Sequence, residues 1–467
     1  MMQTNRWKRR AALLAVGAAA AALIPTITAP SVSAQADTSI GAGGEYFPLT
    51  PERILDTRDP SKDVAPFGAK PTDANGETFR LKVTGVAGVP ENDVLAVAIN
   101  VVAIQPDGPG FLSVRPAGFV PPAGSDATSL VNFSRAGEFV PNLGIVGVGE
   151  GGEIEFEVFT PLNNGDMHVI VDVYGWIATS GFDDADDDGA RIRSITPERF
   201  MDTREPGQLP PALSSPRQLN PGETVKLPIR GQGSVPNDPD ITGVVVNLTG
   251  VFPSGGTFLA LTPEAPEPGF STSNGNYLPG EVRANMAIVP MGADGSISIT
   301  NGPANIDALI DVVGYVEKGV SEDLSAGRVV PLEAPFRSFD TRLPEFGSVR
   351  LGRGQWEDWS FTKFAESVEL DGVTNIAQEG FFANLVGFDL QNTNGTFLTM
   401  NPREPQPFTE GPDNSTLNVL GGQLAVNNMS LIRYGSNGDG DDAVVSAFNA
   451  TGSIHYHLDV YAVILAD

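Results

Sequence analysis

The chain has 467 residues, and its 57 acidic side chains outnumber its 29 lysines and arginines, for a formal net charge of −28. A surface this acidic repels nucleic acid and anionic membranes, so the composition argues against both as partners. The chain has no cysteine, which excludes disulfides, thiol catalysis and cysteine-ligated metals.

The first 34 residues have the order of a secretory signal peptide. Basic residues lie between Arg6 and Arg10, an Ala/Leu-rich run covers 11–24, and small residues precede a cleavage site after Ala34. The apolar run ends at Pro25, short of the roughly 20 residues that span a bilayer. We therefore predict export, cleavage, no membrane insertion of the mature chain, and a secreted, extracellular or cell-surface location.

Two phrases occur three times, at a period of roughly 140 residues. The phrase Pro-x-Arg-x-x-Asp-Thr-Arg, with its last three residues invariant, opens each copy at Pro51–Arg58, Pro197–Arg204 and Pro335–Arg342. A hydrophobic phrase containing Asp-Val closes each copy, at residues 169–176, 309–315 and 457–462. The period predicts three diverged copies of one unit.

Other positions recur between these ends, in the same order in every copy. They are an asparagine in a hydrophobic run (Asn100, Asn247, Asn384), a short segment with serine second and asparagine last (residues 128–132, 272–276, 414–418), and a later asparagine (Asn142, Asn285, Asn428). Agreement at so many separated places excludes coincidence.

Each copy has the pattern of β-strands. Residues 153–159 and 295–300 alternate polar with apolar side chains, and Asp-Gly and Asn-Gly pairs separate such runs. No segment after the signal has sustained helical periodicity. We predict an all-β protein of three tandem antiparallel β-sandwich domains, Greek-key or jelly-roll-like.

The repeat ends set the expected organisation. It is a signal peptide at 1–34, β-repeat 1 at 45–178, an acidic linker at 179–192, β-repeat 2 at 193–316, a linker at 317–328 and β-repeat 3 at 329–467.

The opening and closing phrases resemble repeats in exported proteins of actinobacteria. The resemblance covers nearly the whole mature chain and implies an extracellular or cell-surface location. Copy three departs from the pattern, with Phe336 where the other copies have glutamate and Ala462 where they have glycine. The family has no established activity to carry over, so the resemblance assigns no catalytic residue.

The recurring charged and amide residues have two interpretations. They either form a ligand pocket in each copy, with arginine holding a carboxylate or sulfate, or close each sandwich as a partly buried Arg–Asp pair with amides satisfying the backbone. We favour the structural interpretation and expect Arg58, Arg204 and Arg342 to face the closing aspartates. The residues are Asp56, Arg58, Asp172, Asp202, Arg204, Asp311, Asp340, Arg342, Asp459, Asn100, Asn247 and Asn384.

The linker after copy one contains part of a calcium loop. Asp184, Asp186 and Asp188 alternate and Gly189 follows, as converging carboxylates on one hard cation require. The twelfth position is Ile195, where a calcium loop has a bidentate glutamate. A calcium site and a solvated acidic linker are both open, and calcium is the one cofactor the sequence suggests.

No catalytic constellation is recognisable. His455 and His457 alternate in the closing strand of copy three and lack a third zinc ligand, and no serine stands in a nucleophile elbow. We therefore expect a non-enzymatic surface or matrix protein of adhesion type, bound to a surface protein or glycan. A carbohydrate-binding protein is the alternative, weakened by only three tryptophans after the signal, and a secreted hydrolase is the second.

Overall fold

The computed structural model describes residues 27–28, 43–59, 78–121, 127–159, 167–182, 189–267, 272–320, 325–370, 373–374, 376–406 and 408–467. Of the predicted signal peptide it describes only strand β1 (Ile27–Thr28). The candidate calcium ligands Asp184, Asp186 and Asp188 lie outside the described residues.

Each copy contributes eight strands of three to twelve residues to the shared pattern. Copy one has β2 (Tyr46–Asp56), β3 (Thr78–Lys82), β4 (Val94–Ile104), β5 (Gly110–Pro116), β6 (Val131–Phe133), β7 (Phe139–Gly147), a 3-10 turn (Glu150–Gly152), β8 (Glu153–Phe159) and β9 (His168–Ala178). Copy two has β10 (Arg191–Asp202), β11 (Thr224–Pro228), β12 (Ile241–Val251), β13 (Thr257–Thr262), β14 (Gly275–Tyr277), β15 (Val282–Pro290), β16 (Ser296–Asn301) and β17 (Asp307–Glu317).

Copy three repeats this order and adds one insertion. It has β18 (Val329–Asp340), a 3-10 turn (Pro344–Phe346), β19 (Gln355–Ser360), α1 (Thr362–Ser367), β20 (Val368–Leu370), β21 (Val373–Thr374), β22 (Gln378–Phe388), β23 (Thr396–Pro402), β24 (Leu417–Val419), β25 (Ala425–Arg433), β26 (Val444–Asn449) and β27 (His455–Leu465). In the insertion, β20 pairs in parallel with β1 and antiparallel with β21.

The eight strands of a copy form two four-stranded antiparallel sheets, which we call its first and second blades. In copy one the first blade has the order β2-β9-β4-β7 and the second has the order β3-β8-β5-β6. Copies two and three have the same two orders. The chain therefore alternates between the blades instead of finishing one before starting the next.

The six blades form a six-bladed β-propeller, so the expected three tandem sandwich domains are wrong. The innermost strands contact one another in a closed circle, in the order β7, β6, β25, β24, β15, β14 and back to β7. Going round the ring, copy one is followed by copy three and then by copy two. The all-β class of the prediction is confirmed.

Burial explains why the copies close into a ring. The first blades have strands with almost no exposed residue, such as β4 and β9, whereas β3 and β11 alternate exposed and buried residues. A sheet buried on both faces needs a layer on each side. The first blade is covered on one face by its own second blade and on the other by strands of the other copies, as β7 contacts β14, β15 and β25.

Apolar side chains close the centre of the ring. Leu143, Met286 and Met429 occupy the same repeat position on the three innermost strands of the first blades, and all three are buried in one core cluster. The core therefore spans the three copies at the axis.

The segments entering the first blades also join the copies. Gly44 bridges to Val329, and Tyr46 bridges to Ala190, so backbone pairing links copy one to both of the others. Arg191, at the end of the predicted acidic linker, is fully buried and its Nε donates to Glu45 at 2.7 Å. The ends of the linkers are thus part of the packed ring.

Candidate functional site

Each closing aspartate binds the first arginine of the opening phrase. Arg53 holds Asp172 with Nε and Nη2, at 2.8 and 3.2 Å, and the Arg337–Asp459 pair has the same geometry. Arg199 holds Asp311 in the same way. A register shift between Arg53 and Leu55, repeated in the other copies, marks a bulge beside the pair.

The last arginine of each opening phrase has a different partner from the one we predicted. Arg58 donates to Asp56 from Nε at 2.9 Å and from Nη2 at 2.8 Å, so it does not pair with Asp172. Arg204 and Arg342 bind Asp202 and Asp340 in the same way. The reason is local. Arg58 lies in the turn after the strand, only two positions from Asp56, so its guanidinium reaches the Asp56 carboxylate more easily than the Asp172 carboxylate on the neighbouring strand.

The pKa values of these aspartates separate the two kinds of pair. Burial raises the pKa of Asp56, but hydrogen bonds from Arg58 outweigh it and leave the pKa below its ordinary value, and Asp202 behaves likewise. For Asp172 and Asp311, burial dominates over the paired arginine and the pKa is raised. Asp172 and Asp311 are therefore more deeply desolvated than Asp56 and Asp202.

The recurring asparagines and serines join one copy to the next. We name a junction by the copy giving the first blade and then the copy giving the second blade. Asn100 Nδ2 donates to the Ser273 carbonyl at 3.1 Å across the one–two junction. Asn384 makes the same bond to Ser129 at 2.5 Å, and Asn247 binds Ser415. These amides satisfy the backbone of another copy, whereas we expected them to act within their own.

A second set of amides lies nearer the axis. Asn285 accepts a hydrogen bond from the Leu143 backbone at 3.2 Å and donates to Asn100 Oδ1 at 3.2 Å. Asn428 and Asn142 repeat this arrangement at the two–three and three–one junctions. The six asparagines form a pseudo-threefold set of buried hydrogen bonds between the copies.

The one–two junction contains a cavity of about 220 Å³. Its first-blade wall is apolar, with Val102, Ile104 and Ile170 forming a small buried cluster against Phe139. Arg53 and Arg58 complete the copy-one lining, and copy two supplies Phe258, Thr272, Ser273 and Asn276.

A strained backbone position ends the apolar wall. Gln105 follows Ile104 and has a φ of 49°, and the equivalent residues Phe252 and Asp389 have φ values of 45° and 53°. Such left-handed conformations cost of order 1–3 kcal/mol in residues other than glycine. The Phe252 side chain is also exposed at the rim of the two–three junction.

The three–one junction is filled where the one–two junction is open. Phe388 stands in the place of Ile104, and the Arg342 guanidinium lies 4.2 Å over its ring. His457 replaces Ile170 and its Nε2 lies 3.2 Å from Arg337 Nη2. Burial lowers the pKa of His457 below its ordinary value.

Two of the histidines in the closing strands, His168 and His455, contact threonines. His168 Nδ1 lies 3.0 Å from Thr57 Oγ1, and His455 Nδ1 lies 3.1 Å from Thr341 Oγ1. Within the described ranges, no three His, Asp or Glu side chains are grouped so as to hold a metal ion.

Sequence reasoning missed two kinds of site residue. Arg53, Arg199 and Arg337 recur as the arginine of Pro-x-Arg, so the signal was visible but we assigned the pairing to the other arginine. Phe139 carries no repeat signal, because its counterparts are Val282 and Ala425, whereas Phe258 recurs as Phe111 and Phe397 and was not recognised as a site residue.

Comparisons with known proteins give little. No family model matches the chain, and no curated protein matches it. Among solved structures, the N-terminal CBM22-1-CBM22-2 tandem domain from Paenibacillus barcinonensis Xyn10C is similar over 61% of this chain and 100% of its own, with 9% identity and a TM-score of 0.16. Among the described helices, none is long and apolar enough to cross a bilayer.

Proposed function

We propose that this chain is an exported, non-catalytic protein that attaches to a cell surface or extracellular matrix through the exposed arginines at the junctions between its copies. The observation that carries the proposal is the repetition of one exposed, anchored arginine at all three junctions. At each junction a guanidinium is anchored to a buried aspartate and is still about half exposed. At the one–two junction, Arg58 lines the same cavity as Ser273 of copy two.

The symmetry of the ring makes these arginines suitable for attachment. Arg58, Arg204 and Arg342 occupy equivalent positions around one pseudo-threefold axis, so they lie on the same side of the ring. Several weak sites presented together to a surface bind far more tightly than one of them. An enzyme gains little from such multiplication, and the acids nearest the cavity, Asp56 and Asp172, are both held by arginines.

The experiment is retention of the mature chain, residues 35–467, on cell-wall and extracellular-matrix fractions. A triple variant, Arg58→Gln with Arg204→Gln and Arg342→Gln, is expected to lose retention by a larger factor than any single variant. The matched control replaces one exposed arginine in each copy, Arg80, Arg217 and Arg353, with glutamine. Equal retention of the two triple variants would refute the proposal.

Carbohydrate binding is the second candidate. Phe139 and Phe258 line the cavity together with Asn276, and aromatic rings beside amides suit a sugar ring. Glycan-array binding that disappears with Phe258→Ala would favour it over attachment through protein.

A further inference from the structure

We propose that the cavity at the one–two junction binds a small carboxylate that carries an apolar ring. The proposal deepens the attachment function and rests on it, because it names the ligand class for one of the three junctions.

The orientation of the charges selects an anion. The cavity is lined by Arg53 and Arg58, and their partners Asp56 and Asp172 are not among its lining residues. The arginine side chains are 18% and 41% exposed, whereas those of Asp56 and Asp172 are 7% and 1% exposed. The four charges cancel in number, but only the two positively charged residues line the cavity.

Arg58 is held in position before a ligand arrives. Its Nε and Nη2 both donate to Asp56, and its backbone N–H donates to the same carboxylate at 3.0 Å. Within the described part of the chain, its Nη1 has no hydrogen-bond partner. A guanidinium fixed in this way loses little side-chain entropy when a carboxylate binds its open edge.

The apolar wall and the volume select the rest of the ligand. Val102, Ile104 and Ile170 face Phe258 across the cavity, so a hydrocarbon ring replaces water at an apolar surface. The volume of about 220 Å³ is below the roughly 300 Å³ at which pockets for drug-sized ligands begin. A single six-membered ring with one carboxylate fits both conditions.

Copy three provides a natural blocked form of this site. At the three–one junction Phe388 occupies the place of Ile104 and stacks under the guanidinium. The substitution Ile104→Phe should therefore fold, because the same ring is accommodated in copy three, and it should fill the cavity while leaving both arginines in place.

The test is ligand-observed NMR and calorimetry of the mature chain with benzoate, using benzamide as a neutral ligand of the same shape. We expect benzoate to bind with a dissociation constant of about 1 mM or tighter and benzamide to bind at least about tenfold more weakly. Glucuronate is measured beside them, and tighter binding of glucuronate than of benzoate would overturn the apolar ring.

Two variants locate the site. Ile104→Phe should abolish benzoate binding, and Arg58→Gln should weaken it by about tenfold or more. The matched control is Val251→Phe, the same change at the two–three junction, which should leave benzoate binding unchanged. Equal affinity for benzoate and benzamide, or unchanged binding by Ile104→Phe, would overturn the proposal.

The failure of this proposal can be told from the failure of the proposed function. If the chain is retained on surface fractions but does not bind benzoate, the ligand class is wrong and attachment stands. If benzoate binds and the arginine triple variant is retained as well as its control, the cavity is a site but the junction arginines do not mediate attachment.

Discussion

The one–two and three–one junctions share one set of Arg–Asp and Asn–Ser hydrogen bonds, which we call the polar frame, but differ in the side chains between these bonds. Asp172 and Asp459 each hold an arginine with two hydrogen bonds, and Asn100 and Asn384 each bind a serine carbonyl of another copy. Between these fixed points, one junction encloses a cavity and the other is filled by aromatic and imidazole rings. The frame therefore holds the copies together, while the residues on the apolar wall decide whether a ligand has room.

The strongest test of the shared frame is Asn285→Ala. The change leaves the Leu143 N–H, the Asn100 Oδ1 atom and the Asn274 carbonyl without this partner. Each buried group left unsatisfied costs about 1–3 kcal/mol, so we expect a loss of at least about 3 kcal/mol in urea unfolding. Asn394→Ala, at an exposed turn, is the control and should have almost no effect.

The same substitution at the three–one junction sharpens the comparison. Asn142→Ala should cost less than Asn285→Ala, because Asn427 also donates to Leu130 O and Asn384 Oδ1, the acceptors that Asn142 serves. A larger loss of unfolding free energy for Asn142→Ala than for Asn285→Ala would show that Asn427 does not compensate for the missing Asn142 amide.

A glycine in the closing strand distinguishes copy one from copy three. A Cβ atom on Gly175 would lie 2.4 Å from the Tyr46 ring and 2.6 Å from the Phe47 carbonyl oxygen. Copy three has Ala462 at this position, and Val329 where copy one has Tyr46. We expect Gly175→Ala to cost about 1–3 kcal/mol by overpacking.

The reason for that cost can be checked with a double-mutant cycle in chemical denaturation. Tyr46→Val should reduce the penalty of Gly175→Ala, since the smaller side chain makes room for the added methyl group. Strict additivity of the two changes would contradict this explanation.

The smallest expected effect concerns His457, whose counterparts are Ile170 in copy one and Leu309 in copy two. Its pKa is lowered in the folded chain by burial, so the unfolded chain takes up a proton first as the pH falls. The stability contributed by neutral His457 is therefore present above about pH 6.5 and declines below it, by at most about 1.4 kcal/mol per pH unit.

The variant His457→Ile removes this titration. Urea unfolding at pH 7.5 and pH 5.5 should show a smaller difference for the variant than for the wild type. The Asp340 carboxylate does not interfere, because burial is outweighed by His457 and Arg342 and its pKa is far below this range. Equal pH dependence of the two proteins would mean that His457 is not neutral in the fold.

Part of the site could be predicted from the sequence. The opening and closing phrases located Asp56, Arg58 and Asp172 as members of one polar system. The sequence did not show which arginine pairs with which aspartate, because Arg53 and Arg58 lie in the same phrase and either could have bound Asp56 or Asp172. A bulge and a turn decide which arginine faces which carboxylate.

The sequence by itself determined the threefold repeat, the strands and the positions of the recurring polar residues, because these follow from local patterns. Only the tertiary structure decided that six blades close into one ring. The apolar strands β4 and β9 need cover on both faces, and only another copy supplies the second layer. For the same reason, the cavity between Arg58 of copy one and Ser273 of copy two could not be found within any single repeat.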